Sequence, residues 1–304
     1  MMRAAPLRGL LAVSAIAAVA LSLAGIGSST PPGRNGLIAF SFDGRGAGTA
    51  LRGKPPGIAV VRPDGSGARL LIPNGRSPAW SPYGRRLAFV RSGNVFVMNA
   101  NERVQRLTTL RRDDAPAWSP DGRRIAFVRA IGTGESQRSA LMIMNADGRH
   151  KWAVYYPTTG HVLQGPSWSP DGTLIAFSNV SGGLGTIMVV GHLGGAQGHE
   201  WAPAGGDEDD YDPDWSPDRK HLAITRANWL CGSCDVDSVS LVRTDGVSPT
   251  RQLIENASNP SWAPDGNWIV AESPEGLIVT DLDGNSRRLF PSSGTEPAWQ
   301  PLPA

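Results

Sequence analysis

The residues that most often carry chemistry are scarce in this chain. Cysteine occurs twice in 304 residues, as Cys231 and Cys234. Two thiolates alone cannot close a structural zinc site, which takes four ligands. A redox Cys-x-x-Cys opens a helix after a strand, where the helix dipole lowers the thiol pKa. This pair lies instead in NWLCGSCDVDS, a loop between two strand-like segments. In an oxidising compartment the expected state is a Cys231–Cys234 disulfide that staples the loop. None of the five histidines (His150, His161, His192, His199, His221) belongs to a His-Glu-x-x-His pair, and no Gly-x-Ser-x-Gly elbow is present. Both absences argue against common hydrolase chemistries. Lysine is limited to Lys54, Lys151 and Lys220, and the formal net charge is only +2. So small an excess speaks against nucleic acid as a partner, since its phosphates attract strongly basic surfaces.

The N-terminus opens with a basic, then apolar segment. Arg3 and Arg8 precede a stretch from Gly9 to Gly27 without charge, and Ser22-Leu23-Ala24 offers small residues where a signal peptidase reads. The expected organisation is a signal peptide over 1–24, a linker over 25–35 and a folded body over 36–301. The rival reading is an uncleaved membrane anchor reaching to about residue 27, because the run approaches bilayer-spanning length. Either way the folded part is expected outside the cytoplasm. Cleavage after Ala24 leaves 27 basic against 27 acidic residues.

What the chain does have is tryptophan, ten in all, and six of them repeat with their neighbours. PAWSPYGRRLAFV at 78–90 returns as PAWSPDGRRIAFV at 116–128 and PSWSPDGTLIAFS at 166–178. PDWSPDRKHLAIT at 213–225, PSWAPDGNWIVAE at 260–272 and a final PAWQP at 297–301 complete the set. The repeating residues Trp80, Trp118, Trp168, Trp215, Trp262 and Trp299 lie 38, 50, 47, 47 and 37 positions apart, a period that suits four-stranded propeller blades. Each phrase reads as a strand ending at Trp, a Pro-Asp-Gly turn and a β-branched strand. Asp-Gly hairpins follow, as in LMIMNADGRHKWAV at 141–154 and LIVTDLDGNSRRLF at 277–290. The Asp281–Asn285 stretch looks faintly like a calcium loop but reads as such a turn.

Leu37 to Phe42 is a second strand with no Trp strand ahead of it, and Pro297 to Gln300 is a Trp strand with nothing after it. Placing the last into the first blade completes six blades and removes two sheet edges. The expected fold is therefore an all-β, six-bladed β-propeller closed by its C-terminal strand, with the tryptophans wedged between blades. The Trp-Ser-Pro-Asp-Gly repeats resemble those of the TolB propeller family over about residues 36–301. The α/β domain that precedes the propeller in that family finds no counterpart in this sequence. The resemblance implies a periplasmic role in binding protein within an envelope complex.

Propeller connectivity sorts the loops onto two faces. The tight Ser-Pro-Asp-Gly and Asp-Gly turns share one face with Arg85, Arg86, Arg123, Arg124, Arg149, Lys151, Arg219, Arg287 and Arg288. The other face carries the variable loops, including 43–56, 130–139, 181–185 and 228–237, and loops on a rigid scaffold are where binding usually resides. Candidate partner-binding residues precede each Pro-x-Trp: Arg76, Asp113, Asp114, Gln164, Asp212, Asn259 and Glu296, with Asp209, Asp210 and Tyr211 beside them. The acidic run from Asp207 to Asp212 reads first as a solvated loop, with docking of a basic partner or a calcium ion as alternatives. No other cofactor, metal or catalytic residue is expected. These readings combine into an exported, monomeric, non-catalytic propeller that binds an envelope or secreted protein around the channel mouth. The alternative is a metal-dependent propeller lyase or lactonase acting on a sugar-derived substrate.

Overall fold

The computed structural model describes residues 33–45, 50–132, 138–158, 160–182, 184–193, 198–200, 209–228, 236–245, 250–290 and 294–303. The segment read as signal peptide and the cysteine pair lie outside them. Every described element is a strand. Blade 1 holds β1 (Arg34–Phe42), β2 (Gly57–Val61) and β3 (Arg69–Pro73), and blade 2 holds β4 (Arg76–Trp80), β5 (Arg86–Arg91), β6 (Asn94–Asn99) and β7 (Val104–Arg106). Blade 3 follows with β8 (Asp113–Trp118), β9 (Arg124–Ile131), β10 (Arg138–Asn145) and β11 (Trp152–Tyr155). Blade 4 comprises β12 (His161–Trp168), β13 (Leu174–Ser181), β14 (Leu184–Gly191) and β15 (His199–Glu200). Blade 5 runs through β16 (Asp209–Trp215), β17 (His221–Asn228), β18 (Val236–Arg243) and β19 (Arg251–Glu255). Blade 6 has β20 (Ser258–Trp262), β21 (Trp268–Ser273), β22 (Gly276–Asp281) and β23 (Ser286–Phe290), before β24 (Gly294–Leu302).

β24 pairs antiparallel with β1, placing Trp299 opposite Ile38 and Ala298 opposite Ala39, so blade 1 is ordered β24-β1-β2-β3. The closure expected from the two unmatched ends is therefore present, and the ring has six four-stranded sheets. β1 starts at Arg34, inside the segment expected to be linker, because Arg34 and Asn35 still find ladder partners in Leu302 and Pro301. The loop expected over 181–185 shrinks to a hairpin, since β13 runs to Ser181 and β14 resumes at Leu184. The first strand of each blade touches its counterpart in the next all the way round, so these six strands line the axis.

The tryptophans occupy the wedges between blades, as their repetition implied. Trp118, for example, packs with Ala79, Ala88 and Val97 of blade 2 and with Phe127 and Ala140 of its own blade. A buried indole removes about 150–250 Å² from water, worth at most about 4–6 kcal/mol at about 25 cal/mol/Å². Its N–H needs a partner there, and the Nε1 groups of Trp118, Trp168 and Trp262 donate to the carbonyls of Ala79, Ala117 and Asp214 in the preceding blade, at 3.1, 3.2 and 3.1 Å. The rest of the repeat is turn chemistry. The Ser119 hydroxyl donates to Asp121 at 2.6 Å and accepts the Arg124 N–H that opens β9 at 2.9 Å. Ser169 and Ser216 make the same pair of bonds. Glycine holds the left-handed turn position at Gly84, Gly122, Gly172 and Gly266, while Arg219 adopts it in blade 5 at φ 64°.

Asp214 ties three blades together. Its carboxylate accepts from Ser167 Oγ at 3.0 Å in blade 4 and from the Trp262 N–H at 2.8 Å in blade 6. Burial is the first cause holding its carboxyl well above the usual range. Asp214→Ala should cost about 2–4 kcal/mol, because it strands a buried N–H and a hydroxyl. Ser261, at the matching position of blade 6, is buried with an unpartnered hydroxyl, so Ser261→Ala should be neutral or mildly stabilising. Urea denaturation of both variants checks the contrast; equal losses would contradict the bridge.

Candidate functional site

The repeat shapes the channel mouth through one proline. Proline has no N–H to give a ladder, and it stands two residues before each repeated Trp. In every axial strand the register slips at that point, for example between Arg76 and Ala79 or between Tyr211 and Asp214. The residue before each proline then takes a left-handed backbone: Ser77, Ala115, Gly165, Asp212, Asn259 and Glu296 have φ between 47° and 57°. Bulges of this kind re-aim side chains, and five of the six pay left-handed strain that glycine alone avoids. These six residues form one ring around the mouth. The expected candidates straddle it: Asp212, Asn259 and Glu296 belong to the ring, whereas Arg76, Asp114, Gln164 and Tyr211 stand one residue before it. Ser77, Ala115 and Gly165 are the members that the sequence reading passed over.

In four blades the second strand supports the ring from behind. Ser41 Oγ, Ser178 Oγ, Thr225 Oγ1 and Glu272 Oε2 accept the backbone N–H of Ser77, Asp212, Asn259 and Glu296 in the following blade, at 3.0, 2.8, 2.9 and 3.2 Å. Valine holds the equivalent place at Val90 and Val128. Aligning the repeats on Trp exposes Glu272 as a charge in a position otherwise filled by Val, Ser or Thr, a signal the sequence carried.

The acidic run is not a solvated loop. Asp209 to Trp215 is strand β16, and Asp209, Asp210, Asp212 and Asp214 are buried; Asp207 and Glu208 lie outside the described residues. Burial is tolerated because neighbouring strands supply partners. Arg226 clamps Asp210 with bonds of 2.8 and 3.0 Å, and the Gly185 N–H donates to Asp209 at 3.1 Å. Blade 3 repeats the clamp, with Arg129 holding Asp113 at 2.6 and 3.0 Å. Asp113 and Asp210 are thus engaged within their own blades, and burial followed by the Asp209 charge pushes the Tyr211 hydroxyl up.

The remaining candidates gather into two groups. Arg76 Nη1 bonds both oxygens of Asp114 at 2.5 Å, and Ser77 Oγ bonds Asp114 at 3.1 Å. Next to them Glu296 accepts from Ser41 Oγ at 2.5 Å and from the Ser77 N–H at 2.9 Å. Burial pushes Glu296 up to about 7, and the Asp114 charge adds to the shift. In the adjoining blades 5 and 6 Asn259 Nδ2 donates to Glu272 at 2.5 Å, while Thr225 Oγ1 donates to Asp212 at 3.3 Å. Burial, then the Glu272 charge, holds Asp212 well above the usual carboxylate range, and burial raises Glu272 too. Asp212 Oδ1 and Asn259 Oδ1 are buried without a hydrogen-bond partner among the described residues. A cavity of about 370 Å³ opens beside this group, lined by Asp237, Ser258, Glu272 and Thr295. Gln164 sits half-buried in β12 opposite Ser178.

Among the described residues no three acidic, His or Cys side chains stand close enough to share a metal ion. The Asp281 hairpin uses its carboxylate on the Asp283 and Asn285 N–H groups, both at 2.9 Å, as a turn does. No described helix is long and apolar enough to cross a membrane.

No curated protein matches the sequence. Solved structures do resemble the fold. TolB from Acinetobacter baumannii superposes with a TM-score of 0.72 at 21% identity, covering 88% of this chain and 67% of that one. A putative TolB from Agrobacterium tumefaciens gives 0.61 at 19% identity, covering 86% and 91%. An oligogalacturonate lyase in complex with manganese gives 0.59 at 13% identity, covering 88% and 77%; identities this low speak for the shared fold alone. The profile of the TolB beta propeller domain matches residues 76–303, and with six closed blades carrying its repeat, this chain belongs to the TolB-type β-propeller family.

Proposed function

We propose that the chain is an exported, non-catalytic module of the bacterial envelope or extracellular space that binds a partner protein through the loop-rich face around the channel mouth. The observation that carries this reading is the contrast between the two faces. On the turn face the serine, aspartate and backbone groups of the repeat bond one another in blades 3, 4 and 5. Around the mouth, buried oxygens of Asp212 and Asn259 have no partner among the described residues, the Glu272 and Glu296 charges bear on Asp212, and Asp212, Asn259 and Glu296 are held on left-handed backbone. Strain and unmet bonding concentrated at one end of a rigid scaffold fit a surface completed by a ligand. Leu110, Tyr156 and Leu184 add exposed apolar area on the same side.

Photo-crosslinking tests the face. A benzophenone residue at Leu110 should capture a discrete envelope protein in cells, and one at Tyr83, exposed on the turn face, should not. Capture from Tyr83 alone, or from neither site, would defeat the reading. Export is checked separately by N-terminal sequencing of the protein from cells, which should begin at Gly25; retention of Met1 would favour the anchored form.

A further inference from the structure

The mouth is not acidic throughout. Between blades 2, 3 and 4 a cavity of about 230 Å³ is lined by four arginines, Arg76, Arg111, Arg112 and Arg138. The two carboxylates in its wall are already spoken for. Arg129 holds Asp113, while Asp114 accepts from Arg76, from the Ser77 hydroxyl and from the Ala115 N–H at 2.9 Å. Arg111, Arg112 and Arg138 make no ion pair with any described residue, so among the described residues three arginines of the cavity lining have no carboxylate partner. The rest of the wall is apolar, with Val128, Ala130, Val162 and Leu163. Ser139, the hydroxyl in the wall, already accepts the Leu163 N–H at 2.6 Å.

We infer that this cavity is an anchor site for a carboxylate carried beside an apolar side chain, as at a peptide C-terminus ending in leucine or valine. This rests on the protein-binding reading above and names the feature of the partner that the mouth recognises. Guanidinium forks match carboxylates in a bidentate way, and the apolar wall takes the adjoining side chain out of water. The volume sets the size of the occupant. Pockets for drug-sized ligands span about 300–1,000 Å³, so this one holds a single anchoring residue rather than a run of sugar rings.

The probes are N-acetyl-leucine and N-acetyl-leucinamide, titrated at millimolar concentration while the arginine Nε–H signals are followed by NMR. The acid should give saturable shifts at Arg112 and Arg138, and the neutral amide should bind at least about tenfold more weakly. The surface variant Arg112→Ala/Arg138→Ala, checked for an unchanged melting curve, should lose the response. Equal responses to acid and amide would overturn the inference. So would inorganic phosphate shifting the same signals as strongly, which would mark an anion site indifferent to the apolar wall. A Leu110 cross-link in cells without any acetyl-leucine response overturns the pocket and spares the protein-binding reading. An acetyl-leucine response without a cross-link supports the pocket and strikes the wider reading instead.

Discussion

Deleting residues 294–304 should abolish cooperative unfolding of the propeller. β24 supplies the axial strand of blade 1, and its loss exposes the whole edge of β1. It also removes Trp299 from a cluster with Ile38, Phe40, Val270 and Leu277 that cements blade 6 to blade 1. Truncating a buried Trp alone costs about 3–5 kcal/mol, against a typical total stability of about 5–15 kcal/mol. The deletion further strips Glu296 from Ser77 and Gln300 from the Leu37 N–H and the Gly84 carbonyl. Thermal circular dichroism should show a broad, early transition, and gel filtration should show association through the open edge. A synthetic peptide of residues 294–304 should restore the sharp transition, since it can re-enter as the missing strand. A truncated chain that melts cooperatively within a few degrees of the parent would mean the ring does not depend on this closure.

The second large effect is a loss of stability as pH rises from about 5 to about 8, relieved by Glu296→Gln. Glu296 sits near 7 in the fold against an ordinary 4.5. Between those values the folded chain holds a proton that the unfolded chain has released, so the slope of stability against pH is negative. At about 1.4 kcal/mol per pH unit the full effect approaches about 3 kcal/mol. Asp212 and Glu272 are raised as well and act with the same sign. The turn carboxylates act oppositely and in a lower window. In Asp121, Asp171 and Asp218 partial burial is outweighed by the serine hydroxyl and backbone N–H groups they accept, which leaves them below 3.8. Their contribution is present at neutral pH and fades as pH falls through the lowered values. Urea denaturation across this range should therefore give a maximum on the mildly acidic side. Glu296→Gln, which keeps an acceptor for Ser41 and Ser77, should flatten the neutral limb. A parent protein that gains stability from pH 5 to pH 8, or a variant with the parent's slope, would contradict the buried cluster.

The two effects sit on opposite sides of what the residues alone disclose. Ring closure was legible because its signal is periodic: an unpaired β1 pattern at one end and an unpaired Pro-x-Trp at the other need only be counted. The wedge position of the tryptophans and the Asp281 turn were legible for the same reason, since turn residues and alternation act over a few positions. The burial of Asp209 to Asp214 was not. Four aspartates in six residues look solvated until Arg226, Gly185, Ser167 and Trp262 arrive from other strands to bond them. Glu272 stands in a hydroxyl or valine slot of the aligned repeats, but its consequence depends on Asn259 in the neighbouring strand and on Glu296 across a blade boundary.

By itself, the order of amino acids determined the six-fold repeat, the turn chemistry, the tryptophan wedges and the segment that shuts the ring, all written in local spacing. Tertiary structure alone decided which carboxylates are clamped, which crowd together and which arginines have no acidic partner among the described residues. Electrostatics in a folded chain depends on distance and burial, and the groups that meet at the mouth, such as Ser41, Ser77 and Glu296, are up to 255 positions apart in sequence.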